Sequence, residues 1–96
     1  MNSVIIFDVS GDNNPTQRVV AGMAARGYVK NWQSNNQTFF LPHNIVWKPN
    51  TEFRQAYDDL QQVIQQLNFQ NPPITIRRCV ILNSSPWMAI NGAPIQ

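Results

Sequence analysis

Charged side chains are scarce in this sequence. They occupy 12% of the 96 positions, about half the share found in an ordinary globular domain. Seven basic and five acidic residues leave a net charge of +2, well short of the balance of a strongly basic nucleic-acid-binding tail. Asn and Gln supply the polar surface instead, and a surface with so little charge opposes self-association weakly. The composition therefore favours an oligomer.

Cysteine and long apolar runs are also nearly absent. Cys79 is the single cysteine, which excludes an intramolecular disulfide and fits a reducing cytoplasm. The apolar run that starts at Val4 is interrupted by Asp8, so we expect neither a signal peptide nor a membrane-spanning segment. The sequence contains no phosphate-binding Walker loop, dinucleotide fingerprint or zinc-ligand spacing. A chain of this length predicts one domain, residues 1–96.

The pattern of apolar residues predicts alternating strands and helices. Residues 3–9 read as a strand that is apolar on both faces, and a helix is predicted to start at Pro15, capped by Asn14. A second helix carries an apolar stripe at helical spacing, formed by Phe53, Ala56, Tyr57, Leu60, Val63, Ile64 and Leu67. Residues 74–82 read as a further strand, whose imperfect alternation predicts a bulge or an edge near Arg78.

The predicted order of elements is the split βαββαβ arrangement of a ferredoxin-like α+β fold. Residues 28–32, 37–41 and 45–48 supply its middle strands, the last pairing back as a hairpin. Residues 86–96 are predicted to add a C-terminal edge strand and a tail. Two helices cover one face of such a sheet and leave the other open. Because the first strand is apolar on both faces, we expect a homodimer that buries the second face.

The segment "IIFDVSGD", followed by a helix that carries Arg18, resembles the start of the CRISPR-associated Cas-two proteins. That family begins with a strand ending in Tyr or Phe, then Asp, then a small polar residue. The related VapD and SinR-like proteins share the fold. The segment "NWQSNNQTFFLPHNIVWKPNTEF" resembles the aromatic second strand, the hairpin and the second helix of the SinR-like group.

This resemblance implies a metal-dependent endonuclease. Asp8 matches the aspartate that is proposed to bind a divalent metal such as Mg²⁺ and to act in catalysis, with two copies facing each other across the dimer axis. Some members cut RNA or DNA, whereas others are structural dimers that hold DNA. Arg18 matches a basic residue of the first helix, and Thr38 stands where the family has a serine.

Several alternatives stay open from the residues themselves. Arg77 and Arg78 are candidates to hold phosphates, although neighbours on one strand point to opposite faces, so at most one shares a site with Asp8. Asp8 is equally a candidate to cap the following turn through its side chain. The alternative to a nuclease is therefore a non-catalytic dimer that binds nucleic acid or a protein partner. We expect Cys79 to be a buried side chain, and Asp58 and Asp59 to lie on a solvated helix face.

Overall fold

The computed structural model describes residues 2–34, 36–70 and 73–84, which form five strands and two helices. In chain order these are β1 (Asn2–Gly11), α1 (Pro15–Ala24), β2 (Asn31–Ser34), β3 (Gln37–Phe40), β4 (Ile45–Lys48), α2 (Phe53–Gln70) and β5 (Ile74–Ser84). The sequence predicts the same succession of elements as far as β5. The strand and tail predicted for residues 86–96 lie outside the described residues.

The long first strand is the centre of a three-stranded antiparallel sheet with the order β4-β1-β5. β2 and β3 pair with each other in a separate two-stranded sheet. The predicted hairpin of residues 45–48 with the strand before them is not formed: β4 pairs with β1, and Trp47 makes an isolated bridge with Val29 on its other side. This arrangement gives the peptide groups of the central strand partners on both sides.

Both helices pack against one face of this sheet. Contacts join α1 to β1, α2 to β1 and β5, and the two helices to each other. The core between the layers contains Ile5, Phe7 and Val9 of β1, together with Val19 and Met23 of α1, Val46 of β4, and Ala56, Leu60, Val63 and Ile64 of α2. Phe53 and Tyr57, predicted to belong to the α2 stripe, are about half exposed. The protein is thus α+β, and its layout is compatible with a ferredoxin-like fold.

Helix α1 begins at Pro15, as predicted, but Asn14 does not cap it with its side chain. Asn14 adopts a left-handed backbone conformation (φ 56°, ψ 64°), and its carbonyl accepts the Arg18 N–H. In a capped helix the capping residue is extended, so that its side chain reaches the first turn. After the helix, Gly27 has φ +95°, a conformation that favours glycine.

Strand β5 contains the predicted irregularity. The register against β1 pairs Asp8 with Arg78 but Val9 with Ile76, which leaves Arg77 as an extra residue. A β-bulge of this kind reverses the alternation of side chains. Ile74 and Ile76 therefore face the core before the bulge, and Cys79 and Ile81 face it afterwards. Arg77 is exposed at the bulge.

Candidate functional site on the open sheet face

The side of the sheet away from the helices is an apolar surface, which we call the open face. Directly opposite residues of antiparallel strands share a face. By that rule Val4 lies between Trp47 and Leu82, and Ile6 lies between Ile45 and Val80. Val80 and Leu82 are each 50% exposed, whereas Ile5 and Phe7, on the helix side of β1, are completely buried. Among the described residues, no second layer covers the open face.

Asp8 and Arg78 lie at one end of this open face. They are directly opposite each other on β1 and β5. Arg78 Nε and Nη2 both donate to Asp8 Oδ2, at 3.3 and 2.9 Å. The Arg78 side chain is 81% exposed and that of Asp8 is 40% exposed, so both reach solvent. The structure therefore gives the predicted catalytic carboxylate a cationic partner from its own chain.

A shallow groove of about 480 Å³ runs beside this ion pair. Ile6, Asp8, Asn44, Arg78, Cys79 and Val80 contribute to its lining. The Asn44 carbonyl accepts the Phe7 N–H at 3.1 Å, which ties the loop before β4 to β1. Burial raises the pKa of the Cys79 thiol, so that the protonated form is favoured and the sulfur is a weak nucleophile. The polar chemistry of the groove thus comes from Asp8, Arg78 and Asn44.

Asp8 is the carboxylate that the sequence predicts as a metal ligand. In the part of the chain that the structure describes, no three His, Cys, Asp or Glu side chains are grouped closely enough to hold a metal. Mg²⁺ takes one or two carboxylates and fills its remaining positions with water and phosphate oxygens. Asp8 supplies one carboxylate, and Arg78 already contacts one of its oxygens. A second carboxylate at this position would come from a second copy of the chain.

The other predicted site residues are not gathered around Asp8. Arg18 belongs to the helix layer, where it donates to the Asp12 carbonyl at 3.0 Å in the turn after β1. Arg77 is exposed at the bulge, next to Arg78 in sequence. Thr38 lies on β3, in the two-stranded sheet. Arg78 is thus the one predicted phosphate-binding residue that pairs with Asp8.

A buried polar cluster between α2 and the segment that follows α1 was missed by the sequence analysis. Asp59 was expected on a solvated face, but it is 5% exposed. Its carboxylate accepts from Tyr28 Oη at 2.8 Å and from Gln55 Nε2 at 2.9 Å. Burial, followed by the effect of Asp59, raises the pKa of Tyr28 well above its usual range. The position of Asp59, three residues after Ala56 and four before Val63, is a signal that places it within the apolar stripe.

No family model matches the sequence, and no curated protein or solved structure matches it either. Neither described helix combines the length and the apolar character needed to cross a membrane. The arguments for function therefore depend on the open face and on the ion pair of Asp8 and Arg78.

Proposed function

We propose that this chain is a ferredoxin-like protein of the Cas-two, VapD and SinR-like kind, which acts as a non-catalytic homodimer that binds nucleic acid. The observation that carries the proposal is the apolar open face, formed around Val4 and Ile6 of the central strand. A continuous apolar patch on the surface of a soluble protein often marks an interaction site. A second copy presenting the same face would cover it through a two-fold interface.

The finer assignment of the fold is supported by the position of the segment before β2. Val29 makes an isolated bridge with Trp47, which supports a further strand beyond β4. With that strand the order would be β5, β1, β4 and then the segment at Val29. A ferredoxin-like sheet has the same order, with its first and last strands adjacent and its third strand between its first and second. Each half is then a strand, a crossover helix and a parallel strand, separated by one antiparallel neighbour.

Nucleic acid is the partner that the charges favour. The chain carries two more basic than acidic residues, and Arg77 is exposed at the bulge of β5. Exposed guanidinium groups contact phosphates without reading sequence. With so few basic residues we expect weak binding that declines as salt rises.

The oligomeric state is the first test of this proposal. In analytical ultracentrifugation at tens of micromolar, we expect the wild type to sediment as a dimer. Val80→Glu places a charge on the open face, opposite Ile6 of the central strand, and should weaken dimerisation by at least about tenfold, because each interface would bury two added carboxylates. Phe69→Glu is the matched control, since Phe69 is 90% exposed on α2 rather than on the sheet. A wild type that stays monomeric would contradict the proposal.

A metal-dependent endonuclease is the second candidate, and it is favoured by the position of Asp8. The carboxylate is partly exposed on the same open face that would meet its copy across a two-fold axis. Two Asp8 side chains would then match the carboxylate requirement of Mg²⁺, and a bound ion would supply an activated water for attack on a phosphodiester. The test is cleavage of RNA and DNA with Mg²⁺ or Mn²⁺. Loss of cleavage in Asp8→Asn with retained folding supports this candidate, and an inactive wild type contradicts it.

A further inference from the structure

We infer that the Arg78 guanidinium neutralises the Asp8 carboxylate, so that the ion pair within one chain takes the place of a divalent metal at this position. The inference deepens the proposed function and rests on it in one respect, since the pair lies on the face that the proposed dimer would cover. It also separates the two candidate functions. A carboxylate neutralised by its own chain suits a structural dimer, whereas a nuclease requires the carboxylate for metal.

The pairing lies beside the bulge of β5. Arg78 is opposite Asp8, and the register shifts by one residue between Asp8 and Val9. If the register of Asp8 continued without a shift, Arg77 would stand opposite Val9, which belongs to the core. The extra residue instead leaves Arg77 in solvent and keeps Ile76 opposite Val9. The bulge thus keeps Arg77 out of the core while Arg78 stays opposite the carboxylate.

The contact is well suited to satisfy Asp8 on a face that becomes buried. Two guanidinium N–H groups converge on Asp8 Oδ2, and arginine stays charged at all physiological pH values. In water such an exposed pair contributes little to stability. Covering the face removes water from both groups, and an unpaired carboxylate would then be costly. Arg78 supplies the compensating charge without an ion from solution.

A divalent ion must also compete with this guanidinium. Binding at Asp8 would require Arg78 to move away, or would hold the ion close to a positive charge. Both alternatives weaken metal binding. Arg78→Gln removes the charge and keeps a polar, though shorter, side chain, so it should open the carboxylate to metal. Arg77→Gln is the matched control, because it removes the same charge from the neighbouring position and leaves the ion pair intact.

The ion pair itself is tested by a double-mutant cycle in urea unfolding, using Asp8→Asn, Arg78→Gln and the double variant. We expect the unfolding constants to be coupled by about two- to fivefold, as for other partly exposed pairs. Additive effects would overturn the inference. This cycle measures the coupling between Asp8 and Arg78 in a monomer as well as in a dimer. It therefore tests the inference even if the proposed dimer is not found.

The replacement of metal is tested by titrating Mn²⁺ alone and following the signal of the free ion by electron paramagnetic resonance. We expect Arg78→Gln to bind Mn²⁺ at least about tenfold more tightly than the wild type and Arg77→Gln, and Asp8→Asn to abolish the gain. Equal binding by the wild type and Arg78→Gln would overturn the inference. Sedimentation of the same samples reports separately on the dimer, whose absence would contradict the proposed function and not the ion pair.

Discussion

The side chain of Asn83, near the end of β5, accepts a hydrogen bond from the backbone N–H of Phe53, the first residue of α2, at 3.0 Å. The same side chain donates to Ser3 Oγ at 2.7 Å, and Ser3 Oγ donates to the Thr51 carbonyl. Thr51 lies just before this helix, but its hydroxyl donates to the Pro49 carbonyl. Asn83, thirty positions away, thus accepts the first backbone N–H of α2 and links the helix to both β1 and β5.

Asn83→Ala should therefore lower the free energy of unfolding by about 1–3 kcal/mol, because it removes a helix cap and a partner of the buried Ser3 hydroxyl. Asn83→Asp retains an oxygen that can accept the Phe53 N–H but loses the amide donor, so its loss should be smaller. Urea unfolding followed by circular dichroism measures both. If the two variants unfold at the wild-type midpoint, the side chain does not cap α2.

Because α1 and α2 pack closely at Gly22, we predict that a larger residue at this position is destabilising. A Cβ at this position would lie 2.5 Å from Val63 Cγ1, closer than carbon atoms pack. Gly22→Ala gains about 1 kcal/mol of helix propensity, yet we expect a net loss of about 1–2 kcal/mol from overpacking. Thermal melts of Gly22→Ala, Val63→Ala and the double variant test this. Partial rescue in the double variant is expected, whereas a more stable Gly22→Ala would show that the helices separate easily.

Local patterns in the sequence account for much of this fold. β1, the start of α1 at Pro15 and the irregularity near Arg78 were all predicted and are confirmed. Each depends on signals a few residues apart: a run of apolar residues, a proline at a first helical turn, and a break in strict alternation. The two apolar faces of β1 likewise predicted that one face would remain open beside helices on the other.

Long-range pairings could not be predicted in this way. The local sequence predicted that residues 45–48 pair with the strand before them, whereas β4 pairs with β1. The contact of Asp8 with Arg78 depends on one residue of register between strands seventy positions apart. The partner of Asp59 is Tyr28, which approaches it from outside the helix. These features follow from tertiary packing, and in each of them a polar group obtains its partner from a distant segment.

Tyr28→Phe should destabilise the protein by about 1–3 kcal/mol near neutral pH, because buried Asp59 loses a hydrogen-bond donor. Since the pKa of Tyr28 is raised above its ordinary value of 10.0, the folded state favours the protonated phenol. The stability that this group contributes is complete below pH 10.0 and is lost as the pH rises beyond it. When urea unfolding is measured at several alkaline pH values, the difference in free energy of unfolding between the wild type and Tyr28→Phe should therefore decrease as the pH rises. A difference that does not change with pH would mean that Tyr28 titrates normally.

The segment after Ser84 should contribute to the proposed dimer. The three-stranded face is about 14 Å wide and about 30 Å long, so its flat area is at most about 420 Å² per subunit. A stable interface usually buries about 800 Å² per partner, so more of the chain must take part. Trp87, Met88 and Ile90 are apolar and follow β5, the edge strand of the described sheet. We expect this segment to pair with the sheet of the partner subunit.

Deleting residues 86–96 should then weaken dimerisation by at least about tenfold in analytical ultracentrifugation, while deletion of residues 91–96 alone should have little effect. Equal dimerisation of both truncated proteins and the full chain would mean that the open face suffices without this segment.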